Sequence, residues 1–266
     1  MSTMAKIHNV RILGQGRELV VLSHGFGASQ GAWEGLLPHL LPRYSVLLYD
    51  LRGHGGATSD DDFDASRYRS MEGFAEDLIA ILSELQLGKC LYVGHSMSGL
   101  IGCLAAAARP DLFSKLVLLG ASPRYINDAG YEGGFEQQDV DELLAAIKRD
   151  HASWLQGFAP AALGPEASEE CIQRYMAFLS VVKPDFMLLI AETIFKSDLR
   201  KVLSLVTVPC HVIQTKEDFA VPQAVAKYLH QQLGGELEIL DARGHLPHVT
   251  HPQILAPVLT RLLSEE

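Results

Sequence analysis

The chain has 266 residues, 48% of them hydrophobic, and its 22 Lys and Arg against 32 Asp and Glu leave a net charge of −10. That balance, with no basic run, argues against nucleic acid or an anionic membrane surface as a partner. The length exceeds an average domain yet suits one α/β unit, residues 1–266, with ample apolar material for a core.

The first residues, Met1 to Asn9, have no apolar segment of the signal-peptide kind. Cys90, Cys103, Cys171 and Cys210 are scattered and fall mostly in strand or helix patterns. They read as buried thiols in a reducing cytoplasm or nucleus. The apolar stretch from Gly99 to Ala108 is far shorter than the roughly 20 residues a membrane-spanning helix needs.

In chain order, Glu18 to Ser23 reads as a strand and runs into His24-Gly25-Phe26-Gly27, a glycine-flanked loop able to present the Phe26 backbone N–H. Ser45 to Asp50 is a second strand, left by the glycine-rich loop Arg52 to Gly56. Met71 to Leu85 carries Phe74, Leu78, Ile81, Leu82 and Leu85 at helical spacing.

The apolar run from Leu91 to Val93 then leads into Gly94-His95-Ser96-Met97-Ser98-Gly99 and an alanine-rich helix. This reads as a nucleophile elbow, a sharp strand-to-helix turn that lifts Ser96 above the sheet edge and needs small residues two before and two after it. Gly94 meets the first requirement, and Ser98 stands where a second glycine is usual. A serine capping an ordinary helix is the blander reading.

After the strand from Lys115 to Gly120 the alternation stops. Between Ser122 and Lys196 the pattern predicts helices only: Val140, Leu143, Leu144 and Ile147 mark one; Cys171, Tyr175, Phe178, Leu179 and Val182 a second; Phe186, Leu189, Ile190 and Ile194 a third. An insertion there opens beside the crevice and reads as a lid over residues 123–196. Of its aromatics, Tyr125, Phe135, Trp154, Phe158 and Phe195 are expected over Ser96.

The strand Val208 to Gln214 opens into a loop carrying Asp218, and Leu237 to Leu240 leads to a loop carrying Asp241 and His245. Serine, acid and histidine in that order are the arrangement of an α/β-hydrolase. Loops at the carboxyl ends of parallel strands converge on one crevice. Catalytic Ser96, Asp218 and His245 are therefore expected, with the amides of Phe26 and Met97 as the oxyanion hole. Asp198 and Asp241 compete for the acid role, but the first precedes no strand end and the second shares the histidine's own loop. His248 beside His245 suggests a metal pair, yet no HExxH pattern accompanies it, so neither metal nor cofactor is expected.

The chain resembles the karrikin and strigolactone receptor group of α/β-hydrolases. The likeness rests on His24 to Gly27, Tyr49 to Gly53, Gly94 to Ser98, Ser122 to Asp128, Gly133 to Gln137, Gly157 to Pro160, Val208 to His211 and Gly244 to Pro247. The lid segments are the specific ones, and a serine at position 98 is typical of the group. The resemblance implies an α/β-hydrolase fold, a mostly parallel doubly wound sheet with a helical lid after the sixth strand. It also implies a slow hydrolase that doubles as a butenolide receptor: the serine attacks a lactone ring, part of the ligand stays on the serine or histidine, and a leucine-rich-repeat F-box protein and a repressor bind the rearranged lid. Tyr125, Ile194 and Ala220 resemble the karrikin-type branch. Phe219 and Gly99 depart from the usual pattern, and Phe219, beside the acid, joins Ile194 among the expected pocket residues. A monomer in cytoplasm and nucleus is expected; the alternative is a housekeeping carboxylesterase on small apolar esters.

Overall fold

The computed structural model describes residues 3–58 and 64–264. In chain order the elements are α1 (Thr3–Ile7), β1 (Arg11–Leu13), β2 (Glu18–Ser23), α2 (Leu37–Leu40), β3 (Tyr44–Leu48), α3 (Met71–Leu85), β4 (Cys90–His95), α4 (Met97–Ala108) and β5 (Phe113–Leu119). Four helices follow: α5 (Gln137–Arg149), α6 (His151–Leu163), α7 (Glu169–Val181) and α8 (Pro184–Phe195). The chain closes with β6 (Cys210–Glu217), α9 (Gln223–Leu233), β7 (Leu237–Arg243), α10 (Pro247–Thr250) and α11 (Pro252–Ser264).

The seven strands form one sheet in the order β1-β3-β2-β4-β5-β6-β7. Only β1 is antiparallel to its neighbour. The side-chain period of two divides each central strand between two cores. Leu19, Val21, Tyr92, Leu116 and Leu118 face α3, α4 and the inserted helices. Val20, Leu22, Leu91, Val93, Val117 and Leu119 face Trp33, Leu36 and α11. Burial on both faces explains why β4 is apolar without alternation. The chain passes to opposite sides after β2 and β4, so the crevice between their carboxyl ends is a topological switch point.

Four helices, α5 to α8, lie between β5 and β6. The insertion thus follows the fifth described strand, one earlier than expected. A short bridged turn, with Ile126 opposite Phe135 and Asp128 opposite Tyr131, precedes the helices. The three predicted helices are present, and α6 is a fourth that its Gly157 and Pro160 conceal in the sequence. Pro160 is tolerated because the residue whose carbonyl loses its partner, Gln156, is exposed to solvent. Strand β7 runs to Arg243, so Asp241 sits in the strand and not in the histidine's loop. No helix among the described residues is long and apolar enough to cross a membrane.

Candidate active site

Ser96 occupies a turn held by close packing and by hydrogen bonds from its amide to the Leu119 carbonyl at 2.8 Å and from the Gly99 amide to its own carbonyl at 2.9 Å. Its φ of 55° is a costly conformation for a residue with a side chain. A Cβ on Gly94 would lie 2.4 Å from the Ser98 carbonyl, and one on Gly99 2.5 Å from the Ala121 Cβ. The close approaches fall at residues 94 and 99. Ser98 is compatible with the turn because its hydroxyl is used: Oγ donates to the His24 carbonyl at 2.5 Å and accepts from Ser23 Oγ at 2.9 Å.

His245 Nε2 lies 2.8 Å from Ser96 Oγ, and His245 Nδ1 lies 2.7 Å from Asp218 Oδ2. The Asp218 side chain is 1% exposed. It accepts from the Ala220 and Val221 amides at 2.8 and 3.2 Å and from Gln214 Nε2 at 3.1 Å. Those donors fix its orientation in the loop after β6. The loop after β7 turns at Gly244, whose φ is +97° and where a Cβ would meet the Leu163 carbonyl at 2.1 Å. The His245 amide then donates to the Ala162 carbonyl at 2.7 Å, fastening the histidine loop to the end of α6.

The two competing acids lie elsewhere. Asp241 is 91% exposed and pairs with Lys216 at 3.1 Å. Asp198 joins Arg124 and Arg200 in an ion-pair cluster at the base of the inserted helices.

The amides of Phe26, which borders the same cavity as Ser96, and of Met97, the next residue in the chain, have no acceptor among the described residues. Met97 is the first residue of α4, where an N–H is free by geometry and the helix dipole favours negative charge. The Phe26 loop is set by two buried neutral histidines. The Leu51 amide donates to His24 Nε2 at 3.0 Å, which leaves the His24 Nδ1–H to bond the Gly25 carbonyl at 2.9 Å. The Gly27 amide donates to His54 Nε2 at 3.2 Å. Burial lowers both imidazoles, His54 to about 3, so each remains an acceptor at neutral pH.

His248, the possible partner of His245 in a metal pair, is fully buried in a ring stack, 4.3 Å from Trp33 and 4.4 Å from His95 between centroids. Burial, then the neighbouring His245 and His24, push its imidazole down to about 3. No metal-ligating cluster of three or more His, Cys, Asp or Glu occurs among the described residues.

The cavity above Ser96 is walled by Tyr125, Phe158, Tyr175, Ile194 and Phe195 from the inserted segment, and by Phe26, His95, Phe219, Ala220 and His245 from the sheet side. Of the expected pocket residues, Tyr125, Phe158, Ile194, Phe195 and Phe219 border it. Phe135 and Trp154 do not. Phe135 packs behind Tyr125 and Phe195, at 6.5 and 5.7 Å between centroids. Trp154 stacks on Phe158 at 4.5 Å. Both support the wall from outside: Phe135 from the bridged turn before α5, and Trp154 from one turn along α6 behind Phe158. Tyr175 and His95 were not expected there. Tyr175 belongs to the apolar stripe of α7, and the hydroxyl on that stripe is the signal the sequence offered.

Among these residues no lysine, arginine or carboxylate borders the cavity. The Tyr125 hydroxyl lies 3.5 Å from Ser96 Oγ, and burial raises its pKa, so it stays a neutral phenol. The cavity volume is about 20 Å³, enough for about one water molecule. The site therefore has a nucleophile, a base oriented by a buried acid, and two free amides under an apolar, nearly filled roof.

Residues 20–258 match the Alpha/beta hydrolase family. The chain is similar to a probable esterase of Oryza sativa subsp. japonica, 48% identical over 100% of this chain and 99% of that protein. It is 48% identical to karrikin insensitive 2 receptor CA of Petunia hybrida, over 98% of this chain and 97% of that protein. The strigolactone esterase D14 of Arabidopsis thaliana is 43% identical over 96% of each. Among solved structures, a hydrolase from Oleispira antarctica superposes with a TM-score of 0.95 at 30% identity, covering 99% of this chain and 97% of that one. A sequence matched from end to end by such relatives, on a seven-stranded sheet whose strand ends bring serine, histidine and aspartate together, belongs to the α/β-hydrolase family, in its karrikin and strigolactone receptor group.

Proposed function

We propose that this protein is a butenolide receptor with serine-hydrolase activity on small lactones or esters. The observation that carries the reading is the junction of a complete Ser96–His245–Asp218 relay with an apolar roof that leaves space for about one water. His245 takes the Ser96 proton as Oγ attacks the carbonyl, Asp218 holds the tautomer and steadies the imidazolium, and the Phe26 and Met97 amides receive the oxyanion. Collapse of the tetrahedral adduct expels the leaving oxygen with the proton from His245. Water then attacks the acyl-serine by the same route.

A ligand larger than water must shift the roof to enter, so binding and lid conformation are linked in this reading. A simple esterase gains nothing from that cost, whereas a receptor needs two lid states. The absence of charge around the cavity supports an uncharged ligand, and Tyr125, Ile194 and Ala220 support the smaller, karrikin-like class over a two-ring-system strigolactone. The same reading assigns a leucine-rich-repeat F-box protein and a repressor as partners of the rearranged lid. The protomer is taken to act as a monomer in cytoplasm and nucleus, and the four free cysteines support a reducing compartment.

A thermal-shift series with butenolides of both stereochemical forms tests the proposal. Ligand should lower the melting temperature of the wild type, with a small single-ring butenolide more effective than a bulky strigolactone. Turnover of every compound with no shift in melting temperature would favour the carboxylesterase.

A further inference from the structure

We propose that Tyr175 is a positioning residue through which lid helix α7 sets the oxyanion hole. The inference rests on the hydrolase reading and extends it to a residue that does no chemistry itself. The Tyr175 hydroxyl donates to the Phe26 carbonyl at 3.2 Å. The peptide unit that carries this carbonyl also carries the Gly27 amide, which donates to His54 Nε2 at 3.2 Å. One peptide plane is thus held from two sides, by the lid at its oxygen and by the loop after β3 at its nitrogen.

A second contact lies one turn along the same face of α7. Gly27 has φ +66°, and a Cβ there would lie 2.3 Å from Leu179 Cδ2, so the helix seats directly on the loop. The Phe26 ring is fixed in turn, edge-on to Trp154 and Phe158 of α6 at 6.3 and 6.0 Å between centroids. With its carbonyl and its ring both held by the lid, the Phe26 residue, which borders the cavity, has little freedom left.

The consequence is a coupling. Tyr175 is 2% exposed, and burial raises its pKa, so the phenol keeps its proton and remains a donor. When α7 withdraws, the Phe26 carbonyl loses that partner, the Phe26–Gly27 peptide is held only at the Gly27 amide, and the residue whose own N–H, in the preceding peptide, is one of two oxyanion donors loses a restraint on its far side. The hole is complete only beneath a seated α7. Reciprocity requires that an anionic oxygen in the hole favour the seated helix.

Tyr175→Phe keeps the ring that walls the cavity and removes only the hydroxyl. On an aryl acetate, kcat should fall about 10-fold with KM changed less than about 2-fold, a loss smaller than the roughly 10²- to 10³-fold that follows removal of a donor itself. A trifluoromethyl ketone, which adds reversibly to Ser96 and places an oxyanion in the hole, should bind about 10-fold more weakly than to the wild type. The methyl ketone of the same shape, which forms no adduct, should bind unchanged. Equal weakening of both ketones would show that Tyr175 only shapes the cavity, and no change in kcat or in either affinity would show that the bond does not position the loop. Either result overturns the inference. Wild-type hydrolysis that survives in Ser96→Ala would instead overturn the hydrolase reading, and the inference with it.

Discussion

Ser96→Ala should reduce hydrolysis of an aryl ester to background, a loss of about 10⁶-fold in kcat by comparison with the same change in other serine hydrolases. The substitution removes one hydroxyl whose partner is His245 Nε2 at 2.8 Å. It creates almost no cavity, and alanine at φ 55° is no more strained than serine. The melting temperature should therefore stay close to that of the wild type while turnover disappears. Both are read from one preparation, by a fluorogenic or chromogenic assay and a thermal melt. Activity near the wild-type level in a folded variant would remove Ser96 from the mechanism.

The second large effect is expected at the acid. Asp218→Asn keeps the shape of the side chain but replaces an acceptor facing His245 Nδ1 at 2.7 Å with an amide that can donate there. The imidazole then settles in the tautomer whose Nε2 carries a proton and cannot accept the one from Ser96. The expected loss in kcat is about 10⁴-fold, with ligand binding little changed. Asp241→Asn is the control. Its carboxylate is exposed and pairs with Lys216, and exposed pairs contribute about 0–1 kcal/mol, so turnover should stay within about 2-fold. Isothermal binding and steady-state kinetics on the two variants separate the cases, and a reversal of their effects would move the acid to position 241.

Much of this site is legible in the sequence because its chemistry depends on local turns. The Ser96 elbow needs a glycine at 94, and the His245 loop needs one at 244, where a Cβ would meet backbone oxygens at 2.4 and 2.1 Å. Residue identity and conformation are locked together at such places. The order of serine, acid and histidine follows from the order of parallel strands, which periodicity reveals. Ser98 is the instructive departure. A pattern match counts it as a missing glycine, whereas its fully buried hydroxyl satisfies the His24 carbonyl.

The roof is less legible. Helix α6 escapes because Gly157 and Pro160 read as a break, although Gln156 faces solvent and makes the proline tolerable. Phe135 and Trp154 have the composition of pocket residues, but which aromatic of a cluster faces the cavity depends on how the inserted turn and helices pack together, a non-local property that local spacing does not carry. Tyr175 shows the converse. At its place in the α7 stripe a phenylalanine and a tyrosine bury alike, and only the folded contact with Phe26 tells what the hydroxyl does. Asp241 falls in the strand because β7 continues three residues past Leu240 to Arg243, paired to β6.

Coupling between ligand and lid conformation separates a receptor from an esterase that shares the same relay. Hydrogen exchange across residues 122–196 measures this directly, with and without a small butenolide, in the wild type and in Ser96→Ala. Ligand should change protection in α6, α7 and α8 of the wild type, with the strands of the sheet unaffected. Identical protection across the lid in both conditions, while the butenolide is turned over, would contradict it.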